Sequence, residues 1–261
     1  MLCSLIVLAV ASSQAAAAPL AAAKVEVSLP ATISTFSGAD LHGFPWRMSW
    51  SPDGRQLHLR IVQRDRWGNE KDWHYVVTVG NGKLAPVDAE PGWSSAYWAA
   101  KSGFECPGDR EMKLDIETRV QRVSATNSGA GGSLAQNSGD PYGAGSELGP
   151  QGQAIVQNAQ QSQNVTTTTM RLNGQMVSEF VNTLLQAGLF YGWGPEGLGA
   201  LAYANAKRVL VIMDRHGKRH EVFGTKGVLL PAWSPDGTRL AWIEQQGRGR
   251  YALKISSISS R

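Results

Sequence analysis

Trp233-Ser234-Pro235-Asp236-Gly237 repeats Trp50-Ser51-Pro52-Asp53-Gly54 letter for letter, and Trp193-Gly194-Pro195-Glu196-Gly197 is a worn third copy. The last two tryptophans stand about 40 residues apart, a period that fits one four-stranded unit of a repeat architecture. After each copy the same order follows: an apolar strand, a polar hairpin, another apolar strand and a turn. Near the C-terminus this reads Arg239-Leu240-Ala241-Trp242-Ile243, a loop through Arg250, then Tyr251-Ala252-Leu253-Lys254-Ile255. Pro-Asp-Gly is itself a tight turn. Proline presets φ, aspartate bonds the backbone two residues on, and glycine takes positive φ without a clash. The aspartates therefore read as turn formers ahead of any metal or catalytic role. A unit of this kind exposes apolar faces when alone and is stable only when stacked on its neighbours.

These residues resemble the TolB-like β-propeller repeat, a relative of the WD-type blade, over about residues 42–120 and 190–258. The resemblance implies an all-β fold, a β-propeller with about four recognisable blades that is incomplete or has lost its middle blades. A first blade runs from His42 to Val87, with strands at Arg47–Trp50, Gln56–Gln63, Trp73–Val79 and Leu84–Val87 and a hairpin at Asn81-Gly82. A second, degraded blade keeps Trp93 but loses Pro-Asp-Gly, and Ala96–Ala100 stands where its second strand belongs. Glu111–Val123 supplies further strand. A third blade begins near Trp193 and continues through Leu198–Tyr203 and Arg208–Met213, and a fourth runs from Val228 to Ile258. Lys24–Leu29 alternates like a strand and is placed to complete the C-terminal blade, with Ile33–Phe36 as a second strand beside it.

Outside the repeats, residues 1–23 are apolar and small, too short for a membrane span, with Ala-x-Ala cleavage options between Ala15 and Ala23. They read as a signal peptide without its usual basic start. Residues 24–261 then form the propeller domain, interrupted by a low-complexity insertion at 124–169 that is too polar to offset its ordering entropy. Asn164-Val165-Thr166 within it matches a glycosylation sequon. Next, Met176, Val177, Phe180, Val181, Leu184 and Leu185 form a stripe that predicts a helix near 175–187, ended by Gly188. The composition between Ile116 and Tyr191 speaks against further blades there. Of the 2 cysteines, Cys3 lies in the leader, which leaves Cys106 without a disulfide partner. A net charge of +4 gives no footprint for nucleic acid.

The sequence carries no catalytic signature. There is no Gly-x-Ser-x-Gly elbow, and Gly143-Ala144-Gly145-Ser146 is a superficial near miss. Gly197-Leu198-Gly199 lacks the third glycine of a dinucleotide loop. His58 and His74 face each other across a hairpin and lack a third metal ligand. Asp65, Asn69, Glu70 and Asp72 crowd one loop at a spacing that matches no calcium loop. The resulting expectation is a periplasmic or secreted, non-catalytic propeller that needs no cofactor or metal and binds a protein partner in the bacterial envelope. In the TolB-like family the propeller serves as a protein-interaction platform. The expected contact face gathers Phe44, Trp46, Arg64, Arg66, Trp67, Lys207, Arg208, Arg248 and Arg250, with His42 beside them. Two other readings stay open: a small-ligand or carbohydrate binder using aromatics at the central mouth, and an enzyme with an unrecognised site.

Overall fold

The computed structural model describes residues 25–101, 103–124, 162–181 and 190–260, so the apolar N-terminal segment and residues 125–161 of the insertion lie outside the described residues. The chain enters through β1 (Val25–Val27) and β2 (Ala31–Ser37). Strands β3 (Phe44–Trp50), β4 (Gln56–Arg64), β5 (Glu70–Thr78) and β6 (Lys83–Val87) make one antiparallel sheet, the expected first blade. Helix α1 (Gly92–Lys101) follows. A second sheet holds β7 (Glu105–Cys106), β8 (Asp109–Ser124), β9 (Ser162–Leu172) and β10 (Gln175–Val181). The third holds β11 (Tyr191–Trp193), β12 (Ala200–Ala204), β13 (Leu210–Asp214) and β14 (Arg219–Glu221). The last joins β15 (Val228–Trp233), β16 (Arg239–Gly247) and β17 (Arg250–Ser260) to both N-terminal strands. β1 pairs with Ile258–Ser260 and β2 with Arg250–Ile255, so one edge of β17 is shared end to end by the start of the chain.

Three expectations need correction. The segment after Trp93 is helical, because Ala96, Ala99 and Ala100 favour a helix and the buried Ser94, Trp98 and Lys101 recur at helical spacing. The stripe at Met176–Val181 is strand β10, and residues 182–187 of the predicted helix lie outside the described residues. A β-bulge explains the error. Met176 pairs with Arg171 and Ser178 with Met170, so Val177 is an extra residue that breaks the period-two pattern. The apolar residues then fall at i, i+1, i+4 and i+5, which imitates a helix. The insertion is shorter than expected, since 162–169 belongs to β9, where β-branched Thr166–Thr169 suit a pleated sheet despite their polarity. A fourth sheet thus exists where the composition spoke against one.

The sheets stack as blades do, in the order first, last, third, second. β15 packs between β3 and β11. The indole N–H of Trp50 donates to the Ala232 carbonyl at 2.9 Å. Arg239 stacks over the Trp50 ring at 4.6 Å and donates to the Gly54 carbonyl at 2.8 Å. β11 and β15 approach so closely that a Cβ on Gly192 would stand 2.6 Å from the Pro231 carbonyl oxygen. One core, including Trp50, Leu57, Trp233 and Ile243, lies among the first, last and third sheets. A second, including Met112, Leu114, Phe180, Trp193 and Met213, joins the third sheet to the second. The result is a mostly antiparallel, propeller-like stack.

Both full copies of the repeat close in the same way. Ser51 Oγ donates to Asp53 Oδ1 at 2.6 Å, Asp53 accepts the Arg55 N–H, and the Gln56 N–H reaches back to Ser51 Oγ. Ser234, Asp236, Thr238 and Arg239 reproduce each contact, and Gly54 and Gly237 take φ of 66° and 72°. Trp233 is fully buried, whereas Asp236 works only within its turn. Trp233→Ala is therefore expected to destabilise by about 3–5 kcal/mol, against about 1 kcal/mol for Asp236→Ala. Urea denaturation measures both, and the reverse order would break the repeat assignment.

Candidate functional site

In the first, third and last sheets, the hairpins that join the second and third strands come to one end of the stack, with the loops that enter β3 and β15. Gly38 N–H donates to the Gly249 carbonyl at 2.7 Å, Gly43 N–H to Gly38 at 2.9 Å, Gln245 N–H to Gly227 at 2.9 Å and Val228 N–H to Arg208 at 3.0 Å. This lacing joins the entry loops of β3 and β15 to the β12–β13 and β16–β17 hairpins. The β4–β5 hairpin rises beside them and is shaped by Asp65. Asp65 Oδ1 accepts the amides of Trp67 and Asn69, and Oδ2 accepts the Asn69 side chain, each at 2.8 Å. The Asn69 bond leads the causes that hold the Asp65 carboxyl below its ordinary range. Glu70 pairs with Arg64 at 2.6 Å and Asp72 with Arg60 at 2.7 Å. The carboxylates crowded into this loop thus serve the hairpin.

The expected contact residues divide into two groups. Phe44 and Trp46 pack edge to face at 5.8 Å and are partly buried against the core, Arg64 is committed to Glu70, and Arg208 lies 4.3 Å over the Phe190 ring at φ 57°. These four build the scaffold. Arg66, Trp67, Lys207, Arg248 and Arg250 are exposed, with Arg66 stacked 4.4 Å over the Trp67 ring. Sequence reasoning missed Phe223 and Lys226 on the loop into β15. Val222 is buried and Thr225 Oγ1 ties the loop by accepting the Leu210 N–H and donating to the Val222 carbonyl. Phe223 consequently stands 85% exposed, and Trp67 on the β4–β5 hairpin is 73% exposed. Its signal was an aromatic directly after an inward valine and before Gly224.

On the face of the first sheet under α1 lies a polar chain. His58 Nδ1 is 2.8 Å from Ser94 Oγ, His58 Nε2 is 3.1 Å from His74 Nδ1, Ser49 Oγ is 2.8 Å from Ser94 Oγ, and Ser94 Oγ is 2.7 Å from Glu90 Oε1. A serine hydroxyl has one hydrogen. With Glu90 a carboxylate, that hydrogen goes to Glu90, so Ser94 accepts from Ser49 and from His58 Nδ1–H. His58 Nε2 then accepts from His74 Nδ1–H. One proton arrangement satisfies the chain, and in it His58 is a donor to Ser94 rather than its base. The two histidines meet as the sequence suggested; Ser94 and Glu90 became visible only with the helix. Cys106 sits near α1, where burial pushes its thiol up to about 11, the inert side of thiol chemistry. Burial likewise pushes Lys101 down to about 8 while its ammonium donates to the Gly194 carbonyl at 2.6 Å.

No family model matches the chain, and no curated protein matches it. Among solved structures it is similar to Sqt1 from Chaetomium thermophilum at 13% identity and a TM-score of 0.23, covering 82% of this chain and 44% of that one. An oligogalacturonate lyase in complex with manganese is similar at 8% identity and a TM-score of 0.24, over 82% and 65%. Sqt1 bound to the N-terminus of the ribosomal protein L10 is similar at 11% identity and 0.22, over 82% and 45%. This chain spans less than half the length of the Sqt1 chains. The blade architecture stands on the hydrogen-bonded sheets themselves.

Burial, with the His74 and Arg60 charges as lesser causes and Glu90 opposing, pushes His58 down to about 4 from an ordinary 6.5. Between those values the unfolded chain binds the proton and the folded chain does not, so stability falls as pH drops from 6.5 toward 4. The loss should reach about 3 kcal/mol. Melting curves across this window should show it, and His58→Gln should flatten that part of the profile.

Proposed function

We propose that this chain is an exported, non-catalytic propeller of TolB-like type that binds an acidic protein partner in the bacterial envelope. The observation that carries the reading is the pair of exposed aromatics, Trp67 and Phe223, on loops whose backbones are fastened by their own hydrogen bonds. An aromatic left in water on a rigid loop is the kind of anchor that interfaces use, because little side-chain or loop entropy is lost when it is covered. Arg66, Lys207, Lys226, Arg248 and Arg250 are exposed at the same end, and such a basic rim favours an acidic partner and a salt-sensitive encounter. The repeated Trp-Ser-Pro-Asp-Gly turn and the pairing of the N-terminal strands with β17 support the TolB-like assignment. The apolar, alanine-rich leader supports export.

Replacing Arg66, Trp67, Arg248 and Arg250 together by serine should abolish capture of the partner from envelope extracts and leave the melting temperature unchanged. Retained capture would move the interface away from this end. Mass spectrometry of the mature protein should find an N-terminus close to Lys24; an intact Met1 in a cytoplasmic fraction would overturn the export reading.

A further inference from the structure

At the other end of the first sheet, the strand register lines up a second set of side chains. Gln56 pairs with Thr78 and Thr78 with Lys83, so the three stand in one row across β4, β5 and β6, and Val76 and Ala85 form the next row on the same face. These small residues leave a groove of about 430 Å³, walled by Pro91 and Trp93 at the start of α1 and floored by Val76, Ala85 and Val87. The Trp93 ring packs edge to face on the His58 ring, at 89° and 6.1 Å, which holds the indole in place beside the groove. Among the described residues, the side chains of Gln56, Thr78 and Lys83 and the Trp93 N–H make no hydrogen bond or ion pair. An amide, a hydroxyl, an ammonium and an indole N–H thus line one open groove.

We propose that this groove binds one hexuronic acid unit, a pyranose ring that carries a carboxylate. The Lys83 ammonium matches the carboxylate with a charge-assisted bond. The Gln56 amide and the Thr78 hydroxyl each donate and accept, as a row of ring hydroxyls requires. The apolar C–H face of the sugar ring fits the indole of Trp93 and the aliphatic floor. Inorganic phosphate has no apolar face and would leave the Trp93 ring and the aliphatic floor uncovered; a neutral sugar would leave Lys83 unused. The groove lies at the Pro-Asp-Gly end of the sheet, away from the Trp67 and Phe223 loops, so the two surfaces are separable.

Saturation-transfer NMR and isothermal titration on the full chain, with glucuronate, glucose and inorganic phosphate as probes, test this assignment. Glucuronate should bind, and glucose should bind about tenfold more weakly, the factor expected for one charge-assisted hydrogen bond. Lys83→Gln, on an exposed rim, should erase the preference for the acid, and Gln56→Ala should weaken both sugars. Trp93→Ala should abolish transfer to the ring protons; if that variant melts early, Trp93→Phe should retain it in part. The inference is overturned by absence of glucuronate binding at millimolar concentration, by phosphate binding as well as glucuronate, or by unchanged binding in Lys83→Gln. Partner capture by the loop end should be the same in Lys83→Gln as in the native chain, which keeps this test apart from that of the interface.

Discussion

A four-stranded blade has two faces, and in this chain both are needed: the first and third sheets each bury one face against the last sheet, around Trp50 and Trp233. The Trp50 indole is the hinge of that arrangement. It fills the wedge, donates to the Ala232 carbonyl of the next blade and carries the Arg239 guanidinium on its ring. A side chain that is apolar over most of its surface and polar at one point can do all three, and the cost of leaving its N–H unpaired in the core enforces the alignment of β3 with β15. The Ser-Pro-Asp-Gly turn that follows sets the angle at which β4 returns. Repetition of the phrase therefore repeats the geometry as well as the residues.

The closure of the last sheet has the same logic at larger scale. β17 would have an open edge, a row of unpaired donors and acceptors, if the chain ended there alone. β1 and β2 cover that edge in succession, which ties the two ends of the domain together. At the other side of the stack, α1 lies on the far face of the first sheet. That face is polar where the helix meets it, and the Ser49, His58, His74, Ser94 and Glu90 chain satisfies what the helix covers. The helix also reaches the last and third blades, through Tyr97 to the Trp233 carbonyl and Lys101 to the Gly194 carbonyl. A single short element thus holds three blades by polar contacts, each made to a backbone or side-chain group that burial would otherwise leave unmet.

The two candidate surfaces are by-products of these constraints. Thr225 and Asp65 spend their side chains on their own loops, and the reward is that Phe223 and Trp67 are held outward without needing partners of their own. The groove below Trp93 exists because α1 begins beside small residues on β5 and β6. Neither surface uses a residue that the cores need.

Repeats were readable from residue types alone because turn chemistry is local: Pro-Asp-Gly forms the same bonds wherever it stands, and an apolar strand follows each copy. The first, third and last sheets, the turn role of Asp53 and Asp236, the meeting of His58 with His74 and the N-terminal closure were all legible for that reason. What required the tertiary structure was every place where a local pattern had two solutions. Ala96–Ala100 suits strand or helix, and packing against β3 chose the helix. Met176–Val181 carries a helical spacing that a single bulged residue at Val177 produces within a strand, and pairing with β9 chose the strand. Thr166–Thr169 is too polar to announce a core, yet β8 offers it a full ladder of backbone partners. Sequence determines which bonds a segment can make with itself; only the folded neighbours decide between conformations that satisfy those bonds equally well.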